Sequence, residues 1–201
     1  MTGEPTRSRH RERGYTLAEL LAALGIIGLT LGLVAFTMDR GGWRTDAALS
    51  EVTDQLTQAR ARAVFDQNDF IVAFDTTNQA FRVHDDENSN GTVEAGIGEE
   101  VRIFELRQAS PDVIFGFASG TVGIDGNVIN AAVTFPGTPP TITFDPLGRG
   151  DGGVIYMITR EDLKKGKPDN MRAIQVNQAT GRIRRWRYDR DRTPVPWRLS
   201  R

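Results

Sequence analysis

Residues 15–38 read YTLAELLAALGIIGLTLGLVAFTM, and the rest of the chain is organised around that stretch. It holds 24 residues and a single charge, Glu19, where a bilayer core takes roughly 20 helical residues. Arg7, Arg9, Arg11 and Arg13 precede it, so the positive-inside bias predicts a cytoplasmic N-terminus and a body on the far side of the membrane. A secretory signal peptide also joins a basic region to an apolar one. This apolar run is longer than such a signal needs, and Asp39-Arg40-Gly41-Gly42-Trp43 offers no small-x-small cleavage site. Glu19 is the anomaly, because a carboxylate near mid-bilayer costs roughly 2.5–3.5 kcal/mol and calls for a partner or a function. The plain alternative is a glutamate near the interface that reaches water.

Composition narrows the remainder. The chain has 201 residues, of which 39% are hydrophobic and 25% charged, as in a globular domain. The absence of cysteine excludes disulfide frameworks, thiol catalysis and cysteine zinc sites. His10 and His84 stand alone, which argues against histidine metal centres and a Ser-His-Asp triad. The net charge of −1 is unevenly spread: four Arg against two Glu in residues 1–14, a balance of −8 over 39–181, and eight Arg against two Asp in 182–201. The chain therefore reads as a basic leader, an apolar span, an acidic body and a basic tail.

Beyond Gly41-Gly42, Leu49, Val52, Leu56, Ala59 and Ala63 recur at 3-4-3-4 spacing. That predicts an amphipathic helix over about 46–65, continuing the apolar one as a stalk and bending at the two glycines. From Asp69 the pattern turns to short β-prone runs. Strands are expected at 70–75, 80–85, 100–106, 113–117, 130–135, 141–144, 153–159, 173–177 and 182–188, with hairpin turns at Asp75–Asn78 and Asn177–Gly181. The expected fold class is α+β, a long N-terminal helix packed on an antiparallel, sandwich-like head. The expected parts are a leader (1–14), a transmembrane helix (15–38), a stalk helix (39–66) and a β-rich head (67–201).

Arg13-Gly14-Tyr15-Thr16-Leu17-Ala18-Glu19-Leu20 resembles the class III signal of type IV pilins and pseudopilins. The resemblance implies cleavage between Gly14 and Tyr15 by a prepilin peptidase, N-methylation of Tyr15, and a mature chain of 187 residues. It also implies that Glu19, fifth in the mature chain, sets register by pairing with a neighbouring subunit's N-terminal ammonium. Phe36 stands where many pilins have proline, a slight lean towards pseudopilins. Ala59-Arg60-Ala61-Arg62-Ala63, Phe144-Asp145-Pro146-Leu147-Gly148, Ile174-Gln175-Val176 and Gly181-Arg182-Ile183-Arg184 resemble the GspH/FimT family of minor pseudopilins and minor pilins. That resemblance implies a non-enzymatic inner-membrane subunit with a periplasmic head, whose partners are the other pseudopilins or pilins of one fibre. Gly25, Gly28 and Gly32 form a small-residue stripe suited to close helix approach, as glycine in membrane helices also does by simple abundance.

Two sites could do more. Arg182, Arg184, Trp186 and Tyr188 would share one face of a strand, and with Arg185 and Arg187 they suit DNA by phosphate neutralisation and base stacking. Some FimT-like proteins bind incoming DNA in this way through a Gly-Arg-x-Arg motif. The alternatives are a charged edge strand, a contact with the acidic body of the next subunit, or a turn common to the whole family. Asp86, Asn88, Asn90 and Glu94, with Gly91 and Val93, follow a calcium-loop pattern, although its twelfth position is Ile97; an acidic Asn-Gly loop accounts for the same residues. No other cofactor is expected. Leu163–Pro168 reads as a solvated basic turn, and Gly148–Gly153 lacks the helix and Lys-Ser/Thr pair of a phosphate loop.

Overall fold

The computed structural model of the chain describes residues 15–37, 40–88, 90–91 and 101–200. The chain divides into two compact units, residues 1–39 and 40–201. The first contains α1 (Leu17–Thr37). Thr16 caps it: Thr16 Oγ1 accepts from the Glu19 amide at 3.3 Å, and Glu19 Oε2 accepts from the Thr16 amide at 2.8 Å. This reciprocal capping box satisfies two amides that a helix start otherwise leaves open. Thr30 folds its hydroxyl onto the carbonyls of Ile26 and Ile27, so this hydroxyl in mid-helix is satisfied internally. Among the described residues no helix is long and apolar enough to cross a membrane; the end of the expected 15–38 span, like the leader, lies partly outside them.

The second unit opens with α2 (Arg40–Asp66), longer at its start than the periodicity predicted. Its buried stripe is Leu49, Val52, Leu56, Ala59 and Ala63, the residues the 3-4 spacing singled out, together with Ala48. Each larger apolar side chain buried this way contributes about 1.5–3 kcal/mol. The stripe lies against two antiparallel sheets. One has the order β3-β2-β1-β5, from β1 (Asp69–Asp75), β2 (Ala80–Asp86), β3 (Val101–Glu105) and β5 (Thr141–Phe144); the other has the order β4-β6-β7-β8-β9, from β4 (Val113–Phe115), β6 (Gly153–Thr159), β7 (Arg172–Val176), β8 (Ile183–Tyr188) and β9 (Trp197–Leu199). A second apolar cluster on the far side of the β6–β7 pair contains Ile114, Ile129, Tyr156, Ile158, Met171, Ala173 and Trp197.

Both expected hairpin turns form. Asp75 Oδ1 accepts from the amides of Thr77 and Asn78, and Asn177 Oδ1 accepts from Thr180. Four expectations need correction. Residues 130–135 form no strand: Val133 makes an isolated bridge to Ile155, and Pro136, Gly137, Pro139 and Pro140 follow at once, which stops a ladder. Leu106 ends β3 and starts α3 (Leu106–Ala109), its amide taken by the Gln79 carbonyl. The basic run at 163–168 begins inside α4 (Arg160–Lys165), which is capped by Thr159 through Asp162 and closed by Gly166 at φ 63°. Finally, β8 is not an edge strand, because β9 pairs with its outer side.

Candidate functional site

At the N-terminus Tyr15 is fully open to solvent and Glu19 is occupied in the capping box. Gly14 lies outside the described residues. Within the single chain, then, the Glu19 carboxylate already has a local role, which the Thr-x-x-Glu spacing could have disclosed.

The arginine strand divides by face and by level. Strand pairing places Ile183 opposite Val176, Arg185 opposite Ile174 and Arg187 opposite Arg172, so these side chains share the face on which α2 packs. Arg184, Trp186 and Tyr188 take the other face. Arg182 precedes the strand, so the single face expected for Arg182, Arg184, Trp186 and Tyr188 forms only for the last three. Trp186 is half-buried against the second apolar cluster and donates its indole N–H to Gln175 Oε1 at 3.2 Å. Its ring is therefore partly committed. Among the described residues the guanidiniums of Arg182, Arg184, Arg185 and Arg187 make no ion pair, whereas Arg44, Arg107, Arg149, Arg172 and Arg190 each face a carboxylate.

Arg60 organises the upper end of this strand. Its Nε donates to the Gly148 carbonyl at 2.8 Å and its Nη2 to the Thr180 carbonyl at 3.2 Å. Three segments separated by 88 and 120 positions therefore meet at one guanidinium. Gly181 adopts φ 58°, and a Cβ there would lie 2.2 Å from the Gly148 oxygen; only glycine fits so close an approach. Beside it opens a cleft of about 670 Å³ lined by Thr57, Arg60, Gln175, Asn177, Arg182 and Arg184. Its charge is cationic. The sequence reading singled out the Arg182 and Arg184 side of this cleft and missed Arg60, which nothing local marks as its neighbour.

The opposite charge gathers around β1. Asp69 faces Asp86 across the strand pair. Burial, with the carboxylates of Asp86 and Asp145 close by, holds Asp69 above the ordinary carboxylate range. Asp86 is itself buried and accepts the amides of Asn90 and Gly91, while Asn88 Oδ1 accepts that of Asn90. Glu94 lies outside the described residues, and among those described no group of three or more acids and histidines is arranged to hold a metal.

The comparisons bear on the N-terminus first. Residues 9–35 match the family described as the prokaryotic N-terminal methylation motif. The chain carries that motif. The matched residues contain Gly14, Tyr15 and Glu19 together. A search of curated proteins gave no match. Among solved structures the chain is similar to the minor pseudopilin EpsH from the Type 2 Secretion System of Vibrio cholerae, at 8% identity and a TM-score of 0.48, over 72% of this chain and 97% of that one.

Proposed function

We propose that the chain is a minor pseudopilin. Prepilin peptidase cleaves after Gly14, Tyr15 is N-methylated, and residues 15–38 hold the subunit in the inner membrane with its head in the periplasm. It then joins other pseudopilins in a type II secretion pseudopilus and works in protein secretion. The observation that carries this reading is the methylation motif over residues 9–35, with Gly, an aromatic residue and a glutamate in succession at Gly14, Tyr15 and Glu19. In a fibre the Glu19 carboxylate exchanges its bond to the Thr16 amide for the ammonium of a neighbouring chain, a charge pair whose disruption leaves one group stranded in apolar packing. In the Gly14→Ala variant the leader stays attached, and mass spectrometry of the tagged chain reads the uncleaved mass. Cleavage at the normal rate in that variant would overturn the reading.

A second reading has an observation of its own. The cleft formed by Arg60, Arg182 and Arg184, with four guanidiniums on and beside the strand that make no ion pair among the described residues, suits a phosphate backbone, as in a FimT-like minor pilin that takes up DNA. Arg182, Arg184, Arg185 and Arg187 supply charge, while Trp186 adds little stacking because its ring is half-buried. On this reading the full chain in detergent binds an oligonucleotide with steep salt dependence, and Arg182→Gln with Arg184→Gln weakens binding at least ten-fold (about 1.4 kcal/mol). No binding at low salt would remove it.

A further inference from the structure

Arg172 on β7, Arg187 on β8 and Arg198 on β9 stand directly opposite one another in register, three arginines in a row across neighbouring strands. Like charges placed opposite each other in a sheet repel, so such a row needs anions. Arg172 has its own: it is buried and donates to both oxygens of Asp46, Nη2 to Oδ2 at 3.1 Å. Arg198 has only Asp189, at 3.8 Å, and is more than half exposed. Among the described residues Arg187 has no carboxylate within ion-pair distance, nor has Arg185, one pleat further along the same face. Three guanidiniums thus lie on one face with one loosely held counter-charge.

Their place along the chain names the anion. Arg172 Nη2 also donates to the Gly42 carbonyl at 3.5 Å, which ties the row to the first turn of α2. Gly42 is four residues beyond Met38, the last residue of the apolar stretch. Four residues span at most roughly 14 Å, under two Debye lengths at physiological salt, so an anionic membrane surface attracts a cation held there weakly at that salt and more strongly as the salt is lowered. Next to Gly42, Trp43 is 80% exposed, a residue favoured at membrane interfaces.

We propose that Arg185, Arg187 and Arg198 dock this end of the head onto anionic phospholipid headgroups, holding the subunit against the membrane before it enters a fibre. The inference rests on the reading of residues 15–38 as a membrane anchor. It is separate from the Arg60, Arg182 and Arg184 cleft, which lies at the other end of β8. Because the sequence has no cysteine, Asp191→Cys gives a single labelling site in the turn after β8. The full chain, labelled there with a fluorophore, is reconstituted into vesicles of phosphatidylcholine alone or with phosphatidylglycerol, each carrying a headgroup quencher.

The expected result is stronger quenching in the anionic vesicles, lost on raising the salt. It falls to the neutral-vesicle level when Arg185, Arg187 and Arg198 are all changed to Gln, and it persists when all three are changed to Lys. Each arginine is worth roughly a five-fold change in association of the head with the surface. Equal quenching in the two vesicle types, or full quenching in the Gln variant, would overturn the proposal. So would an oligonucleotide that binds through the same three arginines on neutral vesicles, which assigns the row to nucleic acid. Alkaline extraction separates the two claims. A chain washed out of both vesicle types sinks the anchor reading and this proposal with it, whereas a chain that stays in both with identical quenching sinks only the proposal.

Discussion

Asp69 begins β1 opposite Asp86, with Asp145 beside it, and burial and these two neighbours raise its pKa above the ordinary carboxylate value. A carboxyl whose folded pKa is raised is penalised when ionised, so its cost to stability is present at neutral pH and is relieved as pH falls through the raised value. Asp69→Asn is therefore expected to raise the thermal midpoint at pH 7. The difference from the unaltered chain should shrink steadily as the pH is lowered through the carboxylate range, as read by circular dichroism melts. A difference that grew towards acid would show that the Asp69 carboxylate is stabilised in the fold. At this scale the sequence disclosed unevenly. Gly14, Tyr15 and Glu19 stood out because the motif is local, and Asp86, Asn88 and Asn90 because their spacing is. Arg60 and Asp46 did not, since their partners lie 88 to 126 positions away.

Among the elements, β9 is the one that rests on a single side chain. It has three residues, and Trp197 fills the second apolar cluster between Tyr156 and Tyr188, donating its indole N–H to the Val122 carbonyl at 2.7 Å. Trp197→Ala should cost about 3–5 kcal/mol, or roughly 6–20 °C in Tm for a unit of this size. Trp197→Phe keeps a smaller aromatic ring, so it should cost more than the about 1 kcal/mol of the lost hydrogen bond and less than the alanine variant. A melt unchanged by the alanine variant would mean that the loop at 116–131 and β9 hold without it. The contrast with α2 explains what sequence could disclose. Five buried residues at helical spacing announce α2, while three strand residues after Pro194 and Pro196 announce nothing. Without β9, the charged strand β8 reads as a sheet edge.

For the whole molecule, the order of apolar helix, amphipathic helix and β-rich body was legible because each part has its own composition. The joining of two sheets by one helix was not, because it depends on pairings that no local pattern encodes. Arg182, Arg184, Arg185 and Arg187 were grouped as one basic patch with Trp186 and Tyr188, yet strand alternation and pairing distribute them between two faces and two ends of β8. One end holds Arg182 and Arg184 with Arg60; the other carries Arg187, joined by an arginine, Arg198, that lay outside the expected site.

The bonds from α2 to the sheets have a mechanical meaning. Asp46 meets Arg172 at the start of β7, and Arg60 meets Thr180 beyond its end, so helix and strand run side by side in the same direction with the apolar stripe between them. A force along the helix axis loads the Asp46 bond, the Arg60 bonds and the stripe in shear, and they must fail together. A force that peels β9 outward breaks its few contacts one after another. The second unit resists a load along the α2 axis and yields to one across it.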